Sequence, residues 1–186
     1  MKPLNEKQQH VVDCMVKGVT TNCQQLLLCI GGPGTGKTFM VNRLDYVLKQ
    51  LGSTGIKPTA FMGVAAANFP GASTICTMFS INPTHALGKK TLKPLDIADR
   101  RRLKLVLGNP DIIVVDEVST LTPDYMSHID QRLRELYIDD KLFGAVDGRF
   151  LPIATNSTYK LVRRGRQESK SFKRICPKIH WIPSII

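Results

Sequence analysis

Residues 31–38 read Gly31-Gly32-Pro33-Gly34-Thr35-Gly36-Lys37-Thr38, and no other stretch of the chain restricts its fold so closely. The octapeptide fits GxxxxGK[ST], a loop whose chemistry requires a strand before it and a helix after it. Its glycines let successive backbone N–H groups turn inward on phosphate oxygens, its lysine reaches the outer phosphates, and its final hydroxyl ligates a divalent cation. Both flanks are present. Residues 26–30 form a continuous apolar run of strand length, and Met40, Val41, Leu44, Val47, Leu48 and Leu51 recur at helical spacing until Gly52. The plain alternative is a glycine-rich turn with a solvated lysine. It has an electrostatic difficulty, because a cation at a helix N-terminus opposes the helix dipole unless an anion lies there.

A second element supports the first. Residues 111–115 are apolar after Asp111 and run into Asp116-Glu117, two adjacent carboxylates at the C-terminal end of an expected buried strand, which is where open α/β sheets place ligands. Acidic residues also end many strands as simple loop solvation. Beside a phosphate-binding loop, Asp116 is the natural carboxylate for a Mg²⁺ shared with Thr38, and Glu117 the natural base for an attacking water. Lys37 would reach the β- and γ-phosphates of ATP.

The remaining periodicity fits the same plan. Asn5 is positioned to cap a first helix, with Gln8 at its third position and an apolar face of Val11, Val12, Met15, Val16 and Val19. A short strand is expected over 59–62, and a helix starts at Pro123, with Met126, Ile129, Leu133 and Leu136 at three- and four-residue steps. Strands alternating with helices predict an α/β fold: an open parallel sheet with helices on both faces. After Phe143 the pattern weakens.

Composition narrows the setting. Of 186 residues, 42% are hydrophobic, enough for a core, and no apolar run approaches the roughly 20 residues that cross a bilayer. The opening MKPLNEKQQH resembles neither a secretory signal nor a transit peptide, so an intracellular site is expected, nuclear in a eukaryote and otherwise cytoplasmic. The five cysteines lack a CxxC pair, which argues against a zinc site or a disulfide framework. A net charge of +11 favours a polyanionic partner. Much of it lies in 160–178, where eight Lys and Arg face the single Glu168.

Taken in order, LNEKQ, GGPGTGKT, TAFMGVAAANFPGASTI and IIVVDEVSTL resemble the motifs of superfamily-one DNA helicases of the Pif-type, RecD-like branch. The resemblance implies a RecA-like P-loop NTPase fold, ATP with Mg²⁺ as cofactors, single-stranded DNA as partner, and work in DNA repair, recombination or replication. In that family the LNxxQ glutamine contacts adenine, a role that falls here on Gln8. The segment carrying Thr59, Gly63, Ala65, Ala66, Asn68, Gly71 and Thr74 resembles the element lining the DNA path, so Thr59, Gly63, Asn68 and Thr74 become candidate DNA contacts. On composition alone the same segment reads as a small-residue helix packed on a sheet.

The match departs from the family in two places. Where the pattern has TIHS, this chain has Thr74-Ile75-Cys76-Thr77, which removes any contact made by that histidine. Where members carry a GDxxQLPP element whose glutamine senses the γ-phosphate, this chain reads FGAVDGRFLPIATNSTYK, with Asp147-Gly148 for Gly-Asp, Leu151-Pro152 retained and no glutamine. A sheet strand is expected to be missing there, leaving the sheet incomplete at its C-terminal end. The expected organisation is a motor domain over 1–143, a degenerate glutamine-element region over 144–160 and a poorly ordered basic tail over 161–186. Nothing later resembles the family's second motor domain, so the reading is a monomeric first motor domain, cut short. The alternatives are another P-loop ATPase, or a nucleic-acid-binding remnant acting through Arg163, Arg164, Arg166, Lys170, Lys173, Arg174 and Lys178.

Overall fold

The computed structural model describes residues 2–23, 25–86, 91–137, 149–155 and 180–182. Helix α1 (Glu6–Thr20) starts as its sequence asks. Asn5 accepts the Gln8 N–H and the Gln8 side chain accepts the Asn5 N–H, a reciprocal capping box, while Glu6 answers the helix dipole. Strand β1 (Gln25–Gly31) delivers the chain to the glycine-rich loop, and α2 (Lys37–Gln50) follows it directly. Strand β2 (Ile56–Ala60) begins three residues earlier than the sequence suggests and stops before Phe61. Three short elements follow: α3 (Gly63–Ala66), β3 (Ser73–Thr74) and α4 (Ile75–Met78).

Beyond them lie α5 (Pro83–Ala86), α6 (Ile97–Leu107), β4 (Ile112–Asp116), a 3-10 turn (Val118–Thr120) and α7 (Pro123–Tyr137). The described chain closes with β5 (Arg149–Thr155) and β6 (His180–Ile182). All six strands are parallel, in the order β3-β2-β4-β5-β1-β6. Consecutive strands β1 and β2 are therefore separated by β4 and β5, a crossover that opens a crevice at the strands' C-terminal ends. The register brings Gly31 level with Thr155, and Asp116 level with Ala60, so these ends share one edge.

Two helical layers explain why the central strands are apolar throughout. Side chains alternate across a strand. Leu27, Cys29, Ile112 and Val114 meet Val11, Met15, Met40, Leu44 and Leu48 of α1 and α2, whereas Leu28, Ile30, Ile113 and Val115 meet Met78, Leu103, Leu107, Ile129 and Leu133 on the other face. The expected α/β sheet with helices on both faces is present. Its strand at 149–155 corrects one expectation: no strand is lost there, and β5 occupies the middle of the sheet, between β4 and β1. Residues 180–182, placed by the sequence in a basic tail, pair with Leu27–Cys29 as an edge strand; 156–179, with most of that tail's charge, lie outside the described residues. Among the described residues no helix is long and apolar enough to cross a membrane.

Leu44 is wholly buried between α1 and the sheet. Leu44→Ala should cost about 2–5 kcal/mol of unfolding free energy, read by urea denaturation.

Candidate nucleotide site

The N-terminus of α2 decides what the crevice holds. Helices α1, α6 and α7 each carry an acidic residue in the first turn, Glu6, Asp99 and Asp124. Helix α2 carries none and opens with Lys37. A helix N-terminus bears a partial positive charge, so this one concentrates positive charge where the three other long helices neutralise it. Gly34 and Gly36 lie at φ +75° and +82°, a left-handed backbone that a side chain would strain. Lys37 is 8% exposed, and its Nζ donates to the carbonyls of Gly31 at 2.8 Å and Gly32 at 2.6 Å. The Thr35 hydroxyl also donates to Gly32, at 2.8 Å. The loop thus wraps around its own ammonium. Pro33 and Gly34 are exposed at its tip, and Thr38 is half-buried in the first turn of α2. Burial lowers the Lys37 pKa, while the carboxylates of Asp116 and Glu117 act in the opposite direction.

Asp116 ends β4 and is buried, its Oδ1 accepting the Glu117 N–H at 2.9 Å. Burial raises its pKa above the usual carboxylate range; the Glu117 N–H opposes this, the Glu117 charge adds to it, and Lys37 again opposes it. Glu117 lies at φ +53°, a left-handed conformation costing about 1–2 kcal/mol in a residue with a side chain. The bend is held by Thr120, whose N–H (2.9 Å) and hydroxyl (2.7 Å) both donate to the Glu117 carbonyl. Along a strand, adjacent side chains face opposite ways. Turning the chain at Glu117 releases the pair from that alternation.

Gln8 reaches the same loop from α1. It is 6% exposed, and its Oε1 accepts the Asn5 N–H at 3.1 Å while its Nε2 donates to the Thr35 carbonyl at 2.9 Å. Helix capping and contact with the loop are met by one side chain. One N–H and one acceptor position of its amide remain.

The four candidate DNA contacts are not alike. Gly63, at the start of α3, and Asn68 are exposed. Thr74 is half-buried and caps α4, its Oγ1 accepting the Thr77 N–H at 3.3 Å. Thr59 is wholly buried, and its hydroxyl donates to the Ser73 carbonyl at 2.8 Å, fastening β3 to β2. It is removed from the set: a buried, hydrogen-bonded hydroxyl offers nothing to a strand passing outside. Exposed Met62 and Val64, which sequence reasoning passed over, flank Gly63.

Comparison with known proteins fixes the family. The model of PIF1-like helicases matches residues 3–176. The chain belongs to the PIF1-like helicase family. Among curated relatives, it is 29% identical over 127 residues to the ATP-dependent DNA helicase PIF4 of Trypanosoma brucei brucei, covering 68% of this chain and 14% of that protein. It is 27% identical over 116 residues to the ATP-dependent DNA helicase Pif1 of a Psychrobacter species, covering 62% and 17%. The chain therefore spans about a sixth of the length of these relatives. Its fold superimposes on Pif1 helicase from Bacteroides, solved in complex with ADP-AlF3 and single-stranded DNA, with a TM-score of 0.64 at 20% identity, covering 88% of this chain and 37% of that one. For Pif1 helicase from Candida albicans the TM-score is 0.62 at 21% identity, covering 83% and 33%. These are helicases with a RecA-like P-loop fold, as the sequence motifs implied.

Within this member of the PIF1-like helicase family two departures from the family pattern acquire a place. Cys76, standing where the pattern has histidine, is half-buried and hydrogen-bonded to Tyr125, whose ring meets Phe61 edge-on at 5.1 Å. Leu151 and Pro152 pair with Val114 and Val115 in the middle of the sheet. They are strand residues and not the retained end of a γ-phosphate loop, a second correction to the sequence reading. Asp147-Gly148 lies outside the described residues.

Asp116 has a raised pKa, so the folded chain binds its proton more firmly than the unfolded chain does. Stability then declines as pH rises from the ordinary carboxylate range through the raised value, and stays reduced above it. Asp116→Asn should raise the Tm of the nucleotide-free protein at pH 7, with the gain shrinking towards pH about 4, as calorimetry would show. Thr59→Val should cost about 1 kcal/mol in denaturant titration and leave oligonucleotide affinity unchanged.

Proposed function

We propose that the chain is the ATP-binding first motor domain of a DNA helicase, which holds ATP–Mg²⁺ at the start of α2 and couples it to single-stranded DNA. The observation that carries this reading is the acid-free, lysine-led N-terminus of α2 on the sheet edge where β4 ends in Asp116. In this reading the backbone of Gly31, Gly32, Pro33, Gly34, Thr35 and Gly36 surrounds the phosphates. Lys37 exchanges its carbonyl partners for the β- and γ-phosphates.

The oxygens of Thr38 and Asp116 are hard donors of the kind Mg²⁺ takes, and one or two protein ligands suffice because phosphates and water supply the others. Bound there, the ion would supply positive charge to neutralise what develops on the phosphate oxygens. Glu117, beside it on the bend, is the base that would take a proton from the attacking water. Gln8 has one donor and one acceptor left, a set that matches the N6 amino group and N7 of adenine and mismatches guanine, whose O6 and N7 both accept. ATP is therefore favoured over GTP, and Gln8→Ala should erase the preference.

Gly63, Asn68 and Thr74 form the side turned to DNA, and the segment between them supports this because it leads straight from β2 at the same sheet edge. Strand separation belongs to the whole helicase. In such motors arginines from outside the phosphate loop stabilise transition-state charge, worth about 10³–10⁵ in rate in related enzymes, and the resemblance assigns them to a second motor domain. Slow hydrolysis by the 186-residue chain follows. The setting we infer is intracellular, in repair, recombination or replication of DNA.

The test is ATP binding and turnover with and without an oligo-dT strand, in the wild type and in Lys37→Ala. Wild type should bind ATP–Mg²⁺ and turn it over slowly, faster with DNA. Lys37→Ala should bind at least about tenfold more weakly, the loss of a charge-assisted hydrogen bond. Turnover indifferent to DNA would point to another kind of P-loop ATPase, and absence of binding would refute the proposal.

A further inference from the structure

The contacts of Gln8 exceed what capping or base recognition requires. Capping is complete with the two contacts to Asn5, at 3.1 and 2.8 Å. Recognition of adenine needs only the unused N–H and acceptor position of the amide. A further bond, from Nε2 to the Thr35 carbonyl at 2.9 Å, joins α1 to the phosphate loop across 27 residues of sequence. Contact is close on this side: a Cβ placed on Gly36 would lie 2.9 Å from the Gln8 Nε2.

Fixing the Thr35 carbonyl fixes a second group. The peptide unit joining Thr35 to Gly36 is planar, and no cis bond occurs among the described residues, so its C=O and N–H point in opposite directions. With the carbonyl held by α1, the Gly36 N–H is directed away from α1. Glycine at φ +82° has no side chain to hold this plane, and rotation there is otherwise easy. The Thr35 N–H and hydroxyl meanwhile both reach the Gly32 carbonyl, at 3.4 and 2.8 Å, so the residue is held at both ends.

We propose that Gln8 is a positioning residue for the phosphate loop itself, setting the Thr35–Gly36 peptide plane so that the Gly36 N–H is presented to the phosphate chain whatever base is attached. The proposal rests on the nucleotide-binding reading of residues 31–38. It differs from adenine recognition in one consequence: a ligand with phosphates and no base also loses affinity when the Gln8 amide is removed.

Calorimetric titration of the full chain with Mg²⁺–tripolyphosphate and with Mg²⁺–ATP separates the roles. Gln8→Met removes the amide at similar length. Gln8→Glu keeps the capping acceptor without the donor and serves as the second variant should the first fail to fold. Asn5→Ala weakens the start of α1 but leaves the backbone N–H of residue 5 and the Gln8 amide in place. The expected result is about fivefold weaker tripolyphosphate binding in both Gln8 variants, the loss of one neutral hydrogen bond, and wild-type tripolyphosphate affinity in Asn5→Ala despite its lower Tm. ATP affinity should fall at least as far in the Gln8 variants. Wild-type tripolyphosphate affinity in either Gln8 variant, with ATP affinity reduced, would overturn the proposal and leave the nucleotide site standing. An equal loss in Asn5→Ala would overturn it in favour of helix stability alone. Failure of the wild type to bind either ligand would remove the proposal and the nucleotide reading together.

Discussion

An α-helix begins with N–H groups that its own carbonyls cannot reach. The first turn of α2 carries no acidic residue of its own to answer them, and its first side chain is the Lys37 ammonium. Much of the rest of the structure keeps that concentration of positive charge in place. Strand β1 carries the loop to the sheet edge, and two left-handed glycines fold it. The carbonyls of Gly31 and Gly32 hold the ammonium inside it, α1 braces it through Gln8, and β4 sets two carboxylates on the same edge. Backbone amides, the buried Lys37, the buried Asp116 and the half-buried Glu117 thus gather at one end of the sheet, a balance of charge that the proposed nucleotide would complete.

Such an arrangement is costly to the fold. Burial disfavours charge on Asp116 and on Lys37, and Glu117 sits in a backbone conformation that most residues avoid. These penalties are confined to one edge. Below it, two layers of buried apolar side chains are continuous through β1 and β4. Stability is gathered in the body of the sheet, and strain is kept at the positions that would do chemistry.

What could be read from the sequence follows the same division. The strand and helix around residues 31–38, and the strand ending at Asp116, were legible because each motif needs only the element beside it. Helices α1, α2 and α7 were legible from periodicity, and Asn5 with Gln8 even gave the capping box. Helix α6 was missed although Asp96, Leu103, Leu107 and Gly108 mark its cap, its buried face and its end, because only Leu103 and Leu107 of its eleven residues are buried. Strand β5 was missed because Pro152 lies within it, and a proline has no N–H for a sheet ladder. Thr59 was misread because a small polar residue looks the same in sequence whether it faces solvent or fastens two strands. The Gln8–Thr35 bond was beyond reach, since nothing local to either residue announces a partner 27 positions away.

The position of β5 also bears on how the chain comes to be folded. Strands β1 and β4 both precede β5 along the chain, yet neither has the other as a neighbour: the slot between them stays open until residues 149–155 arrive. Joining residues 25–31 to 149–155 closes a loop of more than a hundred residues, the kind of non-local pairing that slows folding. Before that closure the nascent chain carries two apolar strands with bare facing edges, each a template for pairing with another chain. The last central strand is thus a keystone, and the interval before it is set is when the chain is most exposed to aggregation.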